Sequence, residues 1–206
     1  MEDIIILGKG GHARSLVDIL ERENKYRITG YVVNNEQEEV DERYPIIGFD
    51  YDLEKIFQSG ITIAAVGVGY LGKSDLRERL WKRLKEIGFK LPTACDPSAI
   101  VANNVQIGEG CFIGKGAIIN ANASVGNLCI INTGAIIEHD CCVNEFSHIS
   151  VGSVLCGNVK VGRAAFVGAN ATVIQGKTIG DRCTIGAGVV VRKDLEDNSM
   201  FYNKDI

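Results

Sequence analysis

Three histidines occur in the 206-residue chain: His12, His139 and His148. His139 is followed directly by Asp140. A neutral imidazole accepts a proton at physiological pH, and an adjacent carboxylate fixes its tautomer and raises its basicity. The pair is therefore a candidate general base with its orienting acid, suited to activating an amine or hydroxyl nucleophile. A different chemistry is suggested near the start. The apolar run from Asp3 to Leu7 ends in Gly8-Lys9-Gly10-Gly11-His12-Ala13. That fits the G-x-G-x-x-A form, in which glycines let a phosphate reach the backbone at a helix N-terminus. A dehydrogenase would also need an acidic residue closing the second strand. Val33-Asn34-Asn35 supplies none, although Glu36 is close.

The elements around these residues follow two rhythms. Residues 1 to about 90 alternate strand and helix signals. Strands are expected over 3–7, 27–33 and 61–66, the last ending in Gly67-Val68-Gly69. Helical patterns place Leu16, Ile19 and Leu20 on one face, and Leu53, Ile56 and Phe57 in a short helix. A third helix over 74–87 carries Leu76, Leu80, Leu84 and Ile87, with Ser74 as N-cap. Such alternation implies a parallel sheet covered by helices.

Beyond Pro92 and Pro97 a period of six takes over. From Val101, every sixth residue through Ile107, Ile113 and Ile119 to Ile185 and Val191 is Ile, Val or Leu, at all sixteen positions. Glycine often follows, as at Gly108, Gly114, Gly126, Gly162, Gly168, Gly180 and Gly186, with Asn at 120, 132 and 144. These residues are expected to take the positive φ of the turns. Two positions before each aliphatic residue a small one is usual, such as Ala117, Ala135 or Ser153. Three hexads make one triangular coil of eighteen residues, and the repeat predicts a left-handed parallel β-helix. The expected architecture is a Rossmann-like domain over 1–92 followed by this β-helix over 93–206. A solenoid this short has flat faces and open ends, so capping and oligomerisation are expected.

Coil arithmetic extends the candidate site. Eighteen residues beyond His139 is Gly157, which leaves room beside the imidazole and exposes a backbone N–H able to stabilise an oxyanion. The same step from Asp140 reaches Asn122 and Asn158, a polar ladder beside the base. A histidine zinc site needs three histidines. His139 and His148 lie half a coil apart and cannot share one corner, so no metal is expected. Of the seven cysteines, Cys111, Cys129, Cys141 and Cys183 occupy the small-residue phase, which reads as buried reduced thiols.

Bulk properties exclude other classes. Apolar residues make up 46% and the formal charge is −4, so there is no basic surface for nucleic acid. Runs such as Ile4 to Leu7 are far too short to span a bilayer. The sequence enters a strand without a signal-peptide pattern, and a cytoplasmic protein is expected.

Taken together, these motifs resemble a known family. Leu7 to His12, the hexad array, Ile137-Glu138-His139-Asp140-Cys141 and Phe146-Ser147-His148-Ile149 are similar to those of hexapeptide-repeat acetyltransferases that modify amino-sugars. That group includes sialic-acid O-acetyltransferases and nucleotide amino-sugar N-acetyltransferases. The resemblance covers nearly the whole chain. It implies a homotrimer with acetyl-CoA bound between neighbouring β-helices and a sugar nucleotide held by the N-terminal domain. It assigns Gly10, Gly11 and His12 to the diphosphate, and Asn34 and Asn35 to the base or ribose. Gly67 is placed with these substrate-binding residues. His148, Ala169 and Ala187 match coenzyme-contacting positions. Two departures are visible: Asn34-Asn35 stand where members often carry Asp-Asp, and Met200-Phe201-Tyr202-Asn203 replaces a Gly-x-Pro-Ala segment.

The leading expectation is transfer of acetyl from acetyl-CoA to the amine of a nucleotide-linked amino-sugar. His139 would act as base, Asp140 as its orienter and Gly157 N–H as oxyanion donor. The alternatives are O-acetylation of a free sugar or sialic acid and, from another class, a non-catalytic nucleotide-sensing scaffold.

Overall fold

The computed structural model describes residues 1–34, 43–72 and 75–202. Asn35, Glu36, Ser74 and Asn203 fall outside these. The chain divides into two compact units: Met1–Gly69 with Ser74–Ala94, and Tyr70–Lys73 with Cys95–Ile206.

The first unit is a four-stranded parallel sheet in the order β3-β2-β1-β4. Its strands are β1 (Glu2–Leu7), β2 (Tyr26–Val33), β3 (Ile46–Phe49) and β4 (Ile63–Val66). The helices are α1 (Gly11–Glu23), α2 (Leu53–Gln58) and α3 (Leu76–Ile87). In α1 the expected face is buried, with Leu16, Ile19 and Leu20 each at 3% exposure or less. Asp75, not Ser74, is the N-cap residue of α3. The edge strand β3 was not among the expected strands. Pro45 lies just outside the strand and still contributes a carbonyl, which accepts the N–H of Tyr31 at 2.9 Å, an arrangement an edge tolerates.

The C-terminal ends of β1 and β4 converge. Gly8 has φ +84°, and a Cβ there would stand 2.8 Å from Val68 Cγ2. Gly67 donates its N–H to Leu7 O at 2.8 Å, and a Cβ there would lie 2.8 Å from Ala13 Cβ. Glycine at both places lets the two strand ends and α1 approach at backbone distance.

The second unit is a parallel β-helix. Two-residue strands run from β5 (Ala94–Cys95) to β22 (Met200–Phe201) and form faces of five, six and seven strands. Strands pair at a step of eighteen residues, as Ile118 with Ile136 and Ile136 with Val154, until the last coil, where Thr184 pairs with Met200. The aliphatic positions fill the prism. Fourteen of the sixteen are at most 3% exposed; Val101 and Ile107, in the first coil, are only partly covered. Each such burial contributes about 1.5–3 kcal/mol. The small-residue phase, Cys111, Cys129, Cys141 and Cys183 included, is buried in the same core, and all seven cysteines are free thiols.

The glycines after the aliphatic residues do a different job from the one expected. None of Gly108, Gly114, Gly126, Gly162, Gly168, Gly180 and Gly186, nor Asn120, Asn132 or Asn144, has positive φ. The left-handed residues fall two positions later, at Gly110, Asn122, Gly134, Asp140 and their counterparts. The earlier glycines are there because the next coil passes too close. A Cβ at Gly114 would lie 2.7 Å from Thr133 N, and one at Gly126 2.6 Å from Glu145 N. The unusual tail simply continues the solenoid. Met200–Phe201 pairs with Thr184–Ile185, and a Cβ on Gly186 would lie 2.5 Å from the Tyr202 ring. No described helix is long and apolar enough to cross a membrane.

Candidate active site

His139 stands at the corner between β12 (Ile136–Ile137) on the six-strand face and β13 (Cys142–Val143) on the five-strand face. Its side chain is 55% exposed, and Nδ1 lies 2.8 Å from Asp140 Oδ2. Asp140 has φ +61°, a left-handed turn conformation that folds its carboxylate back beside the preceding ring. Asn122, one coil earlier, donates Nδ2–H to Asp140 Oδ1 at 3.1 Å. Asn104, a further coil earlier, donates its amide to Asn122 Oδ1 and accepts the Asn122 backbone N–H at 3.2 Å. That fixes the Asn122 amide with its nitrogen toward Asp140. The expected ladder is thus present on the Asn122 side and runs one coil further. Asn158 takes part only through its backbone N–H, which donates to His139 O. The hydrogen bonds from His139 and then Asn122 hold the Asp140 carboxyl below the usual carboxylate range. An ionised Asp140 accepts the Nδ1–H of His139, which leaves Nε2 as the basic nitrogen.

Nε2 faces Gly157. A Cβ built there would lie 2.6 Å from Nε2 and 2.7 Å from Cε1. Glycine is the one residue that leaves the imidazole its place. Gly157 is buried, and among the described residues no acceptor takes its N–H, while its carbonyl accepts from Gly176 N.

His148 has another setting. It lies on β14 (His148–Ile149) in the seven-strand face and is 6% exposed. Nδ1 is 2.6 Å from the carbonyl of Tyr70, so it carries the proton. Nε2 is 3.1 Å from Asn132 Nδ2. The Asn132 Oδ1 accepts Thr133 N–H at 2.8 Å, so the amide nitrogen must face the histidine. The ring also packs edge-on against Phe166 at 5.2 Å. The segment 70–72 closes over this face: Tyr70 OH donates to Ala164 O at 2.6 Å, and burial pushes its phenol pKa up. The chain does not bring His148 and His139 together. Ala169 and Ala187 stack one coil apart at the corner between the seven- and six-strand faces, half-buried and exposed respectively. Asn132 was missed by the sequence reading. The signal for it was parity: it shares an outward direction with Ile130, the strand partner of His148.

In the first unit, Gly10 is the N-cap of α1 and Gly11 its first residue. A Cβ on either would meet nothing within 4 Å. His12 follows in the first turn, its Cβ 3.6 Å from where a Cβ of Gly69 would be. Asn34, exposed, leaves the end of β2; Asn35 lies outside the described residues. These groups gather at the carboxyl ends of β1, β2 and β4, where the strand order reverses. That crevice is where open α/β sheets bind ligands. No group of three or more His, Cys, Asp or Glu suited to a metal occurs among the described residues.

The family of the PglD N-terminal domain matches residues 3–84. The bacterial transferase hexapeptide matches 104–139, and the hexapeptide repeat of succinyl-transferase 158–193. A histidine-to-alanine mutant of GDP-perosamine N-acetyl transferase from Caulobacter crescentus, solved with CoA and GDP-perosamine, is 34% identical. It superposes with a TM-score of 0.92 over 98% of this chain and 94% of its own. The chain belongs to the hexapeptide-repeat sugar acetyltransferases. PerB of the same organism, solved with CoA and GDP-perosamine, is 33% identical, with a TM-score of 0.89 and coverage of 98% and 95%. The acetyltransferase domain of PglB from Neisseria gonorrhoeae, solved with acetyl coenzyme A, is 26% identical, with a TM-score of 0.86 and coverage of 98% and 96%. No curated protein matches the sequence. Membership makes this sugar acetyltransferase an acetyl-CoA-dependent enzyme, its solenoid a left-handed β-helix, and leaves the scaffold reading without support.

Proposed function

We propose that this acetyltransferase transfers acetyl from acetyl-CoA to the amine of a nucleotide-linked amino-sugar, with His139 as general base. The observation that carries the reading is the His139 ring, fixed through Nδ1 by Asp140 and with Nε2 directed over Gly157. The amine nitrogen attacks the thioester carbon while His139 Nε2 takes its proton. The carbonyl oxygen becomes an oxyanion and accepts the N–H of Gly157. Collapse breaks the carbon–sulfur bond, and the imidazolium returns the proton to the departing thiolate. Every step uses protein groups alone. Amine rather than hydroxyl as acceptor is supported by the GDP-perosamine N-acetyl transferase relative solved with GDP-perosamine.

In this reading Gly10, Gly11 and His12 hold the diphosphate, Asn34 and Asn35 the base or ribose, and Gly67 lets the strand ends and α1 close up beneath them. His148, Ala169 and Ala187 serve the coenzyme side, with His148 acting through the Asn132 amide that it orients. The reaction is read as cytoplasmic.

The active assembly is a homotrimer. The six-strand face carries an outward stripe of Ile100, Ile118, Ile136, Val154, Thr172 and Val190. Ile100 is 64% and Val190 43% exposed, and those between are half-buried. Cyclic association covers such a stripe and brings the His139 corner of one subunit to the Ala169–Ala187 corner of the next. Light scattering is expected at about three times the 22.3 kDa protomer. Mixing His139→Ala with Ala169→Trp is expected to restore part of the activity through hybrid sites. Exchange of subunits without recovery would refute the shared site.

The deciding experiment is acetyl-CoA turnover on a panel of nucleotide amino-sugars and free sugars. Turnover with nucleotide-linked amines, abolished in His139→Ala, is expected. Turnover with hydroxyl acceptors alone, or full activity of His139→Ala, would overturn the reading.

A further inference from the structure

We propose that Lys9 is a substrate-binding residue whose ammonium grips a phosphate oxygen of the nucleotide sugar at the Gly8–His12 turn. This rests on the nucleotide-binding reading above and adds to it a cation that the glycine motif by itself does not require.

Lys9 is 6% exposed, and its Nζ makes no hydrogen bond among the described residues. Among the described residues the Tyr31 ring lies near it, with Nζ 5.8 Å from the centroid. That distance is at the outer edge of a cation–π contact, which cannot replace the hydration of an ammonium. A lysine carries three donors and no acceptor. Burying it without a partner is among the costlier arrangements a fold can hold, and an apolar side chain of the same length would fill the space better. Tyr31 itself is fully buried in β2, so packing there does not require a charged neighbour.

The surroundings favour an anion. α1 begins at Gly10 with no side-chain cap and no acidic residue in its first turn, so its positive end is not neutralised from within the helix. Above Gly10 and Gly11 there is open space among the described residues, since a Cβ on either meets none of them within 4 Å. The turn sits at the end of the central strand β1, between β2 and β4. An unpartnered buried cation, an uncapped helix start and an open approach thus share five consecutive residues. A tetrahedral phosphate suits a point charge on a flexible stem, and the four-carbon chain lets the ammonium move from Tyr31 to the incoming oxygen.

Calorimetry with GDP, UDP and dTDP, and with the matching nucleosides, tests this on the full-length protein. Lys9→Met is expected to weaken the best-bound diphosphate by about tenfold or more and to leave its nucleoside within about twofold. KM for the nucleotide sugar rises while KM for acetyl-CoA stays, and Lys9→Arg keeps part of the affinity. Thermal melting of each variant confirms the fold, and Lys9→Gln serves if the Met variant fails to fold. Unchanged diphosphate binding in a folded variant overturns the proposal. Equal weakening of nucleoside and diphosphate also overturns it, because Lys9 would then read the base or prop the turn. Wild-type protein that binds acetyl-CoA but no nucleoside diphosphate refutes the nucleotide reading itself. His139→Ala, expected to bind nucleotide without turning over, keeps the test of the base separate.

Discussion

His139 and His148 lie nine residues apart in one repeat, yet their settings are opposite. His139 follows two residues after an inward aliphatic residue, at a corner, more than half exposed. One nitrogen is held by Asp140 and the other is directed into space that Gly157 leaves open. His148 precedes its aliphatic residue, on a flat face, and both nitrogens are engaged by Tyr70 and Asn132. In this solenoid, phase within the hexad decides whether an imidazole is available for proton transfer or built into the wall.

The comparison can be broken most directly at Gly157. Its φ lies outside the left-handed region, so alanine is compatible with the backbone. The added methyl would displace the exposed His139 ring and nothing in the core. Gly157→Ala is expected to lower kcat/KM about a hundredfold, with a melting temperature within a degree or two of wild type. Full activity would show that Nε2 does not work from the observed position.

His148→Ala is expected to cost stability where Gly157→Ala does not. It strands the Tyr70 carbonyl and the Asn132 amide and removes the ring packed on Phe166. Urea unfolding should show a loss of about 2–3 kcal/mol. An unchanged midpoint would mean the ring is not part of the wall.

The smallest expected effect comes from Asp140→Asn. The Asp140 pKa is depressed in the folded protein, by His139 first and Asn122 second. Its contribution is therefore present above the unfolded carboxylate value of about 3.9 and lost as pH falls through the lower folded value. The pair is exposed, so the stability difference between wild type and variant should be small, and it should close below about pH 4. The rate should fall about tenfold through loss of ring orientation. A stability gap that widens below about pH 4 would contradict the depressed pKa.

Much of this was legible in the sequence, for specific reasons. The eighteen-residue coil is rigid arithmetic, so the step from His139 to Gly157 and from Asp140 to Asn122 could be counted without coordinates. The phase of the positive-φ residues could not. Glycine serves two unrelated needs, a left-handed turn and a backbone too close for Cβ, and the sequence marks both with one letter. Gly114 meets the second need and Gly116 the first. The setting of His148 depends on the carbonyl of Tyr70, 78 residues away, which no local periodicity encodes. The edge strand β3 was hidden because Pro45 serves the sheet with its carbonyl alone.

The coil-to-coil pairing has a further consequence. Because strands bond at a step of eighteen residues through all but the last coil, the repeat region has something like a reading frame. Changing an outward residue alters one position on one face. Adding or deleting a single residue within a coil reverses inside and outside for the strand that follows and shifts its partner in the next coil. Such a chain can diversify freely by substitution, but it can lengthen only at corners or by whole coils.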